Sequence, residues 1–389
     1  MRASRRLTWM AWALALATPA VARAQAEPPA DLARRVLATT PLIDGHNDLP
    51  WAIRESSVAP LDVDAPEHDL RAQTPFHTDI ARLRAGMVGG QFWSVYIPYE
   101  SVEGGAARAQ LEQIDIALRI IEKYPEVFEL ALGATDVERI FGSRRIASML
   151  GIEGGHAIEN SLGALRAYYA LGVRYMTLTH DGTLDWADAH TGERRHGGLT
   201  EFGKEVVREM NRMGMLVDLA HTSPETMNDA LDVSEAPVIW SHAGARGVNE
   251  HTRNVPDQVL RRLPDNGGVV MVIFYPPHVS PRDGATISDV ADHIDHVAGL
   301  AGVDHVGIGS DFDGIERVTV GLEDVSKFPA LFTELARRGW SEQDLRKLAG
   351  ENVLRVWREA EAVSRRLRRE RSPSTATIEE LDGTRSGIR

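Results

Sequence analysis

Histidine and carboxylate residues stand at the ends of several short apolar runs in this sequence. His46 and Asp48 follow Leu42 and Ile43 in "LIDGHND", with a single residue between them. Because residues two apart on an extended chain point to the same side, both side chains can reach one metal ion. Imidazole nitrogen and carboxylate oxygen together suit zinc, with cobalt or manganese as alternatives. The spacing therefore predicts a metal site.

Three further candidate ligands end other apolar runs. Glu153 ends "SMLGIE", His221 follows "MLVDLA" and His242 ends "PVIWSH". Three histidines and two carboxylates exceed the three protein ligands usual for one catalytic zinc, but they fit two ions if a carboxylate bridges them. Two-metal hydrolytic centres hold their ions about 3.5–4 Å apart and share a hydroxide as the nucleophile.

Structural roles are the alternative for each candidate taken singly. A lone histidine after a strand is more often structural than a ligand, and Glu153 between glycines could be a turn residue. A purely structural site would require such a separate explanation for each of the five residues at once. This joint requirement favours a metal centre. No cysteine and no G-x-S-x-G elbow offers another nucleophile. The remaining histidines are expected at the surface or in loops: His68, His77, His190, His196, His251, His278, His293 and His296.

Alternating strands and helices must position these residues. The apolar runs predict strands at 42–45, 91–97, 146–152, 174–179, 215–220, 238–241, 268–274 and 305–309. Helical spacing lies between most of them, at 78–87, 107–123, 161–170, 200–213, 224–231, 257–263 and 288–301. Near-continuous apolar strands alternating with helices indicate a covered parallel sheet. Eight such strands predict a (β/α)8 barrel, with a doubly wound open sheet as the alternative.

In a barrel of this type the active site is built where the strands end, at the carboxyl face. Besides the five candidate ligands, "YMTLTHDG" places His180 there, and "HVGIGSDFDG" places Asp311 and Asp313 there. We expect one barrel domain over residues 27–365, with helical extensions at both ends.

The chain ends predict export and a disordered tail. Residues 1–26 combine arginines, an apolar stretch and small-residue cleavage sites, as a signal peptide does. An N-terminal membrane anchor is the alternative, and "SRRLTW" partly matches a twin-arginine signal. Removal of residues 1–26 takes away four arginines and no acid, so the formal charge goes from −13 to −17. That charge argues against nucleic-acid binding. Residues 366–389 are charged and predict disorder.

Several ordered motifs resemble those of a known family. "DGHNDLPW", "GIEGGH", "LTH", "GLTEFGKEVVREMNRMGMLVDLAH", "SHAG", "HTRNVPD" and "GIGSDFDG" are similar in order and spacing to the membrane (renal) dipeptidase family of zinc peptidases, over residues 41–357. The resemblance implies an amidohydrolase-like (β/α)8 barrel that usually forms a homodimer. Because this chain has no cysteine, the dimer would be non-covalent. No stable membrane anchor is expected after signal cleavage, so the protein would be periplasmic or secreted.

The resemblance also implies two Zn²⁺ ions and their ligands. His46 and Asp48 would bind one ion, His221 and His242 would bind the other, and Glu153 would bridge them.

For the substrate, the resemblance implies three residues. His180 would contact the carbonyl oxygen, Arg253 would bind the terminal carboxylate, and Asp311 would hold the free amino group and assist proton transfer. The implied activity is hydrolysis of dipeptides with both termini free, by a metal-bridging hydroxide. Two alternatives remain: another binuclear amidohydrolase that acts on a lactam, a lactone or an N-acyl amino acid, and a non-catalytic exported protein that binds metal or peptide.

Overall fold

The strands form one parallel sheet. The computed structural model describes residues 8, 27–99 and 105–383 of the 389-residue chain. Within these residues there are nine strands: β1 (Leu42–Asn47), β2 (Val88–Ser94), β3 (Phe128–Leu130), β4 (Ile146–Glu153), β5 (Val173–Thr177), β6 (Leu216–Asp218), β7 (Ile239–Ala243), β8 (Val269–Val272) and β9 (Val306–Ile308).

Eight of the nine strands close into a barrel. β2 pairs with both β1 and β4, β9 pairs with β1, and β4 to β9 follow one another in sequence order. The predicted (β/α)8 barrel is therefore confirmed, and the open sheet is not formed. β3, which the apolar pattern did not predict, lies outside the barrel and pairs with the first residues of β4.

Helices cover the outside of the barrel. In chain order they are α1 (Pro29–Thr39), α2 (Leu49–Arg54), α3 (Ile80–Ala85), α4 (Ala106–Lys123), α5 (Ala134–Gly142), α6 (Leu162–Ala170), α7 (Glu201–Met213), α8 (Pro224–Val233), α9 (Asp257–Leu260), α10 (Leu263–Asn266), α11 (Pro276–Val279), α12 (Ile287–Ala301), α13 (Phe328–Arg337), α14 (Glu342–Arg346), α15 (Asn352–Glu370) and α16 (Ile378–Asp382). A π-helical turn, Lys347–Glu351, joins α14 to α15. All seven predicted helices correspond to members of this set.

Aromatic and aliphatic side chains fill the barrel interior. Phe92, Tyr175 and Met271 belong to one buried cluster, and Trp357 of α15 joins it. Gly151 gives Tyr175 its space, since a Cβ there would lie 2.0 Å from the tyrosine ring. The interior is thus a packed core, which gives the site at the carboxyl face a rigid floor.

The long loop between β5 and α7 is held by one buried carboxylate. Asp188 accepts hydrogen bonds from the backbone N–H groups of Arg195, His196, Gly197 and Gly198, at 2.8–3.2 Å. Thr200 then caps α7 by accepting from the N–H of Gly203. These bonds fix a loop that borders the carboxyl ends of the strands.

The prediction of a disordered tail does not hold for residues 366–383. α15 continues to Glu370, and the segment after it packs on α7. Arg166 donates to the carbonyl of Ser374 at 2.8 Å, and the N–H of Phe202 donates to Asp382 at 3.2 Å. Specific contacts with α6 and α7, which composition does not reveal, order this charged segment. Residues 384–389 lie outside the described residues.

The predicted signal peptide, residues 1–26, lies outside the described residues except for Thr8. Across the described part of the chain, no helix has both the length and the apolar character needed to span a bilayer.

Candidate metal centre and substrate cavity

The ends of β1 and β4 bring three predicted ligands together. Nε2 of His46 lies 3.2 Å from Oδ2 of Asp48 and 3.4 Å from Oε2 of Glu153. All three side chains are buried. Nε2 of His46 and Oδ1 of Asp48 are buried without a hydrogen-bond partner among the described residues. Buried polar atoms without partners are costly, so these two point to a missing ligand.

The ends of β6 and β7 complete the cluster from the other side. Oε1 of Glu153 lies 2.9 Å from Nε2 of His221 and 3.2 Å from Nε2 of His242. The two carboxylate oxygens of Glu153 therefore face different histidines, His46 on one side and His221 and His242 on the other. This is the arrangement that a bridging carboxylate requires.

The protonation states suit metal binding. Burial lowers the pKa of His221 to about 3, and burial together with the charge of His46 lowers the pKa of His242 well below its usual value. Burial alone would raise the pKa of Glu153, but the surrounding histidines hold it well below the usual range. A histidine binds a metal ion when it is neutral, and a carboxylate does so when it is ionised. The pKa shifts of His221, His242 and Glu153 favour these states.

His46 offsets the negative charge of the carboxylates around it by binding a proton. Burial alone would lower the pKa of His46, yet Tyr175, Asp48 and Glu153 raise it well above its usual value. A proton on His46 thus compensates carboxylates that a bound cation would otherwise neutralise. The donor set and its charge both fit a metal centre.

Each of the three histidines uses its other ring nitrogen for a protein contact. Nδ1 of His46 lies 2.8 Å from the hydroxyl of Tyr175, and Nδ1 of His242 lies 2.8 Å from Oγ of Ser241. Nδ1 of His221 lies 3.1 Å from Oδ1 of Asp181. Such contacts fix ring orientation, so that Nε2 of each histidine is directed toward the centre.

Three residues at this face have left-handed backbones. His221, Asp311 and Asp313 have φ values of 64°, 68° and 67°. Non-glycine residues rarely adopt this conformation, and such strain persists where the surroundings hold it. The N–H of Asp311 donates to the carbonyl of His46 at 3.1 Å. The backbone after β9 is thereby tied to the candidate metal ligand.

A cavity of about 390 Å³ opens above the cluster and contains the three predicted substrate residues, His180, Arg253 and Asp311, in its lining. Nε2 of His180 lies 3.7 Å from Oε1 of Glu153. Arg253 is 1% exposed, and all three of its guanidinium nitrogens lack a hydrogen-bond partner among the described residues. A buried cation without a partner calls for an anion, and a carboxylate matches its planar fork.

Asp311 is a half-buried carboxyl next to two other acids. Burial raises its pKa well above the usual range, and the charges of Asp48 and Glu153 add to this effect. The group therefore favours a cationic partner or a proton.

Several cavity residues were not predicted as site residues. Trp51, Tyr96, Tyr275, Asp181 and Ile315 line the cavity. Of these, Trp51 ends the motif "DGHNDLPW" and Asp181 directly follows His180 in "THDG", whereas the other three carried no signal in the sequence.

Three histidines lie elsewhere than expected: His278 lines the cavity, and His68 and His293 are buried at 1% and 0% exposure. His190 lies in its loop, as expected, and also lines the cavity. His293 satisfies both ring nitrogens with backbone groups, accepting from the N–H of Ala245 and donating to the carbonyl of Val279, each at 2.8 Å. Such complete pairing explains how a histidine can be buried in the core.

The fold and the site define a class of protein. A closed parallel barrel with histidines and carboxylates gathered at the carboxyl ends of its strands is a (β/α)8 barrel of the amidohydrolase type.

Comparisons with known proteins give the family. The model of the membrane dipeptidase family, peptidase family M19, matches residues 30–371. An uncharacterized dipeptidase of Schizosaccharomyces pombe is 48% identical over 348 residues, which cover 86% of this chain and 84% of the relative. The chain belongs to the membrane dipeptidase family and is a hydrolase that acts as a dipeptidase.

Solved structures agree with this assignment. The dipeptidase AC, a metallo peptidase of family M19, is 28% identical, with a TM-score of 0.73 and coverage of 83% of this chain and 99% of that one. A metallo peptidase from Rhodobacter sphaeroides, liganded with a phosphinate mimic of the dipeptide L-Ala-D-Ala, is 25% identical, with the same TM-score and coverage.

Proposed function

We propose that this protein is a zinc-dependent dipeptidase with two metal ions. His46 and Asp48 would hold one ion, His221 and His242 the other, and Glu153 would bridge them. The observation that carries the proposal is the position of Glu153, whose two carboxylate oxygens face His46 and the His221–His242 pair at 2.9–3.4 Å. When bound, the ions would supply a nucleophile from water near neutral pH and a Lewis acid for the peptide carbonyl.

The chain's own residues would orient the substrate from both ends. Arg253 would bind the terminal carboxylate with its planar fork, because its buried nitrogens have no other partner among the described residues. Asp311 would hold the free amino group at the other end of the dipeptide. Positioning of this kind places the peptide carbonyl over Glu153 and its histidines.

Two residues would assist the reaction directly. His180 lines the cavity beside Glu153, and its Nε2–H would donate a hydrogen bond to the carbonyl oxygen as negative charge develops there. Loss of one such donor costs about 2.7–4 kcal/mol of barrier. A carboxylate oxygen of Asp311 would carry a proton to the nitrogen of the leaving amino acid.

The test is release of amino acids from a panel of alanine dipeptides, L-L, L-D and D-D, with and without a zinc chelator. The L-D member is included because the Rhodobacter relative is liganded with an L-Ala-D-Ala mimic. We expect release that the chelator abolishes and that added zinc restores. No release from any member by protein with measured zinc, together with cleavage of a lactam, a lactone or an N-acyl amino acid, would replace the proposal with another amidohydrolase reaction.

We further propose export through residues 1–26 and a non-covalent homodimer. Basic, apolar and small-residue segments in that order support export, and the absence of cysteine excludes a disulfide-linked dimer. Cell fractionation with N-terminal sequencing, and light scattering of the purified protein, test the two proposals separately. Full-length protein in the cytoplasm would contradict the first, and a monomeric mass would contradict the second.

A further inference from the structure

The partner of His221 differs from those of the other two histidines. Tyr175 and Ser241, which contact His46 and His242, are buried hydroxyl residues in the barrel wall. Asp181, which contacts His221, is a carboxylate on a loop, and it lines the substrate cavity. Of these three contacts, the one at His221 is thus the one that substrate can reach.

Asp181 does not hold His221 alone. Its Oδ1 also lies 2.9 Å from Nε2 of His190, and Nδ1 of His190 lies 3.2 Å from Oγ1 of Thr252. Thr252 immediately precedes Arg253 in the chain. The contacts therefore run continuously from the loop after β7, which carries Arg253, to the candidate metal ligand His221.

With Asp181 ionised and both histidines neutral, a single arrangement of protons satisfies this chain of contacts. Asp181 accepts from Nδ1–H of His221 and from Nε2–H of His190, and Nδ1 of His190 then accepts from the hydroxyl of Thr252. In this arrangement Nε2 of His221 has a free lone pair, directed toward Glu153 and His242, each of which it approaches within 3.1 Å.

The same loop holds the backbone of His221. Its carbonyl accepts from the N–H of His190 at 2.8 Å and from Oγ1 of Thr179 at 3.0 Å. These bonds secure a residue whose φ of 64° is unfavourable for a side chain other than glycine. Both the ring and the backbone of His221 are therefore held by residues outside β6.

We propose that Asp181, braced by His190, is a positioning residue that fixes the metal-binding nitrogen of His221. The inference rests on the metal centre of the proposed function. A role for Asp181 as a metal ligand in its own right is disfavoured, because it would need Nδ1 of His221, whereas Nε2 faces the other ligands.

The experiment compares metal retention in matched variants. Asp181→Ala removes the contact, and Asp181→Asn keeps the volume and one acceptor oxygen but removes the charge. Asp185→Ala and Asp185→Asn are the controls, because Asp185 lies four residues away in the same loop, is similarly exposed, and contacts only Asn160 and Arg195 in the hydrogen-bond and ion-pair networks of the described residues. Zinc content is measured after dialysis against graded chelator, and the visible spectrum is recorded after substitution with cobalt.

We expect Asp181→Ala to release metal at about 10- to 100-fold lower chelator concentration than wild type, which is the usual effect of losing such a contact. Asp181→Asn should recover part of the loss, the cobalt spectrum should change in both, and the Asp185 variants should match wild type. Asp181 is 57% exposed, so its removal should not open a cavity, and circular dichroism verifies folding.

Equal retention in Asp181→Ala and Asp185→Ala, with an unchanged cobalt spectrum, would overturn the inference. If Asp181→Ala does not fold, equal retention in the two asparagine variants would overturn it instead. Failure of wild-type protein to bind metal would contradict the proposed function, so the two failures are distinguishable.

Discussion

A single arginine is expected to determine affinity for the substrate's carboxylate. Arg253 is buried, and its nitrogens have no partners among the described residues. Arg253→Lys keeps the charge but replaces a planar fork by a point charge. Because hydrogen bonds to charged groups are worth about 1.5–3 kcal/mol, we expect KM for L-Ala-L-Ala to rise about 10- to 100-fold, with a smaller change in kcat.

Steady-state kinetics of Arg253→Lys measure this effect. Arg261→Lys, at an exposed arginine eight residues away, is the matched control and should behave as wild type. An unchanged KM in Arg253→Lys would remove Arg253 from the carboxylate role.

A half-buried histidine, His156, is expected to make stability depend on pH. Burial lowers the pKa of His156 to about 4, and its Nε2–H donates to the carbonyl of Ile97 at 3.1 Å. The unfolded chain binds a proton below about pH 6.5, whereas the folded chain does not until about pH 4. The contribution of His156 to the free energy of unfolding is therefore fully present above pH 6.5. It is lost as the pH falls, by on the order of 3 kcal/mol at pH 4.

Urea denaturation of wild type and His156→Gln between pH 7 and pH 4 tests this dependence. Glutamine can donate the same hydrogen bond but does not titrate. Because the histidines of the candidate metal centre titrate in both proteins, the difference between the two free energies of unfolding isolates His156. We expect wild type to lose stability relative to the variant as the pH falls; a constant difference would contradict the assignment.

The sequence predicted the centre of the site better than its surroundings. The carboxyl ends of parallel strands meet at one face, so His46, Glu153 and His242 could be grouped from their positions alone. The roles of Arg253 and Asp311 came from the family resemblance. Asp181 and the other contacts of the histidine rings come from neighbouring strands and loops. Their pairing depends on ring orientation, which spacing along one chain does not encode.

Among the elements, the barrel strands were predictable, whereas the start of β2 and the outlying strand β3 were not. Strands buried on both faces give continuous apolar runs, and all eight barrel strands were found by this signal. The start of β2 was missed because Gly89 and Gly90 interrupt its run; a Cβ at Gly89 would lie 2.7 Å from Cα of Pro41. β3 is Phe128–Leu130, and Glu129 interrupts its apolar run, so the continuous apolar signal is absent there.

One helix contributes a side chain to the core of the barrel, and its removal should destabilise the fold. Trp357 of α15 is fully buried, and its ring lies 5.9 Å from that of Phe92, between centroids. Truncation of a buried tryptophan leaves a cavity, so we expect Trp357→Ala to lower the free energy of unfolding by about 3–5 kcal/mol, measured by urea denaturation.

Arg358→Ala is the control on the same helix. Arg358 forms a half-exposed ion pair with Glu138, and such pairs contribute about 0–1 kcal/mol. A loss in Trp357→Ala no larger than that of Arg358→Ala would show that α15 does not close the core.

For the molecule as a whole, the barrel brings together candidate substrate-binding residues that are far apart in the chain. Arg253 lies in the loop after β7 and Asp311 follows β9, yet both line one cavity of about 390 Å³. That volume is near the lower end of the roughly 300–1,000 Å³ usual for ligand pockets. A small cavity with a cation and a carboxyl in its wall suits a short substrate that carries both charges.

This arrangement predicts that the enzyme selects its substrates by length. A dipeptide can place its ammonium at Asp311 and its carboxylate at Arg253, whereas N-acetyl-L-Ala-L-Ala leaves the half-buried Asp311 without a cationic partner. The loss of one charged hydrogen bond costs about 1.5–3 kcal/mol, so acetylation should lower kcat/KM about 10- to 100-fold.

L-Ala-L-Ala amide, which blocks the other end, should lose a comparable factor through Arg253. L-Ala-L-Ala-L-Ala should be poor as well, because its added residue displaces one terminus from its partner. Comparable kcat/KM values for the tripeptide and the dipeptide would mean that the two charged ends do not act together, and that the cavity is open to longer peptides.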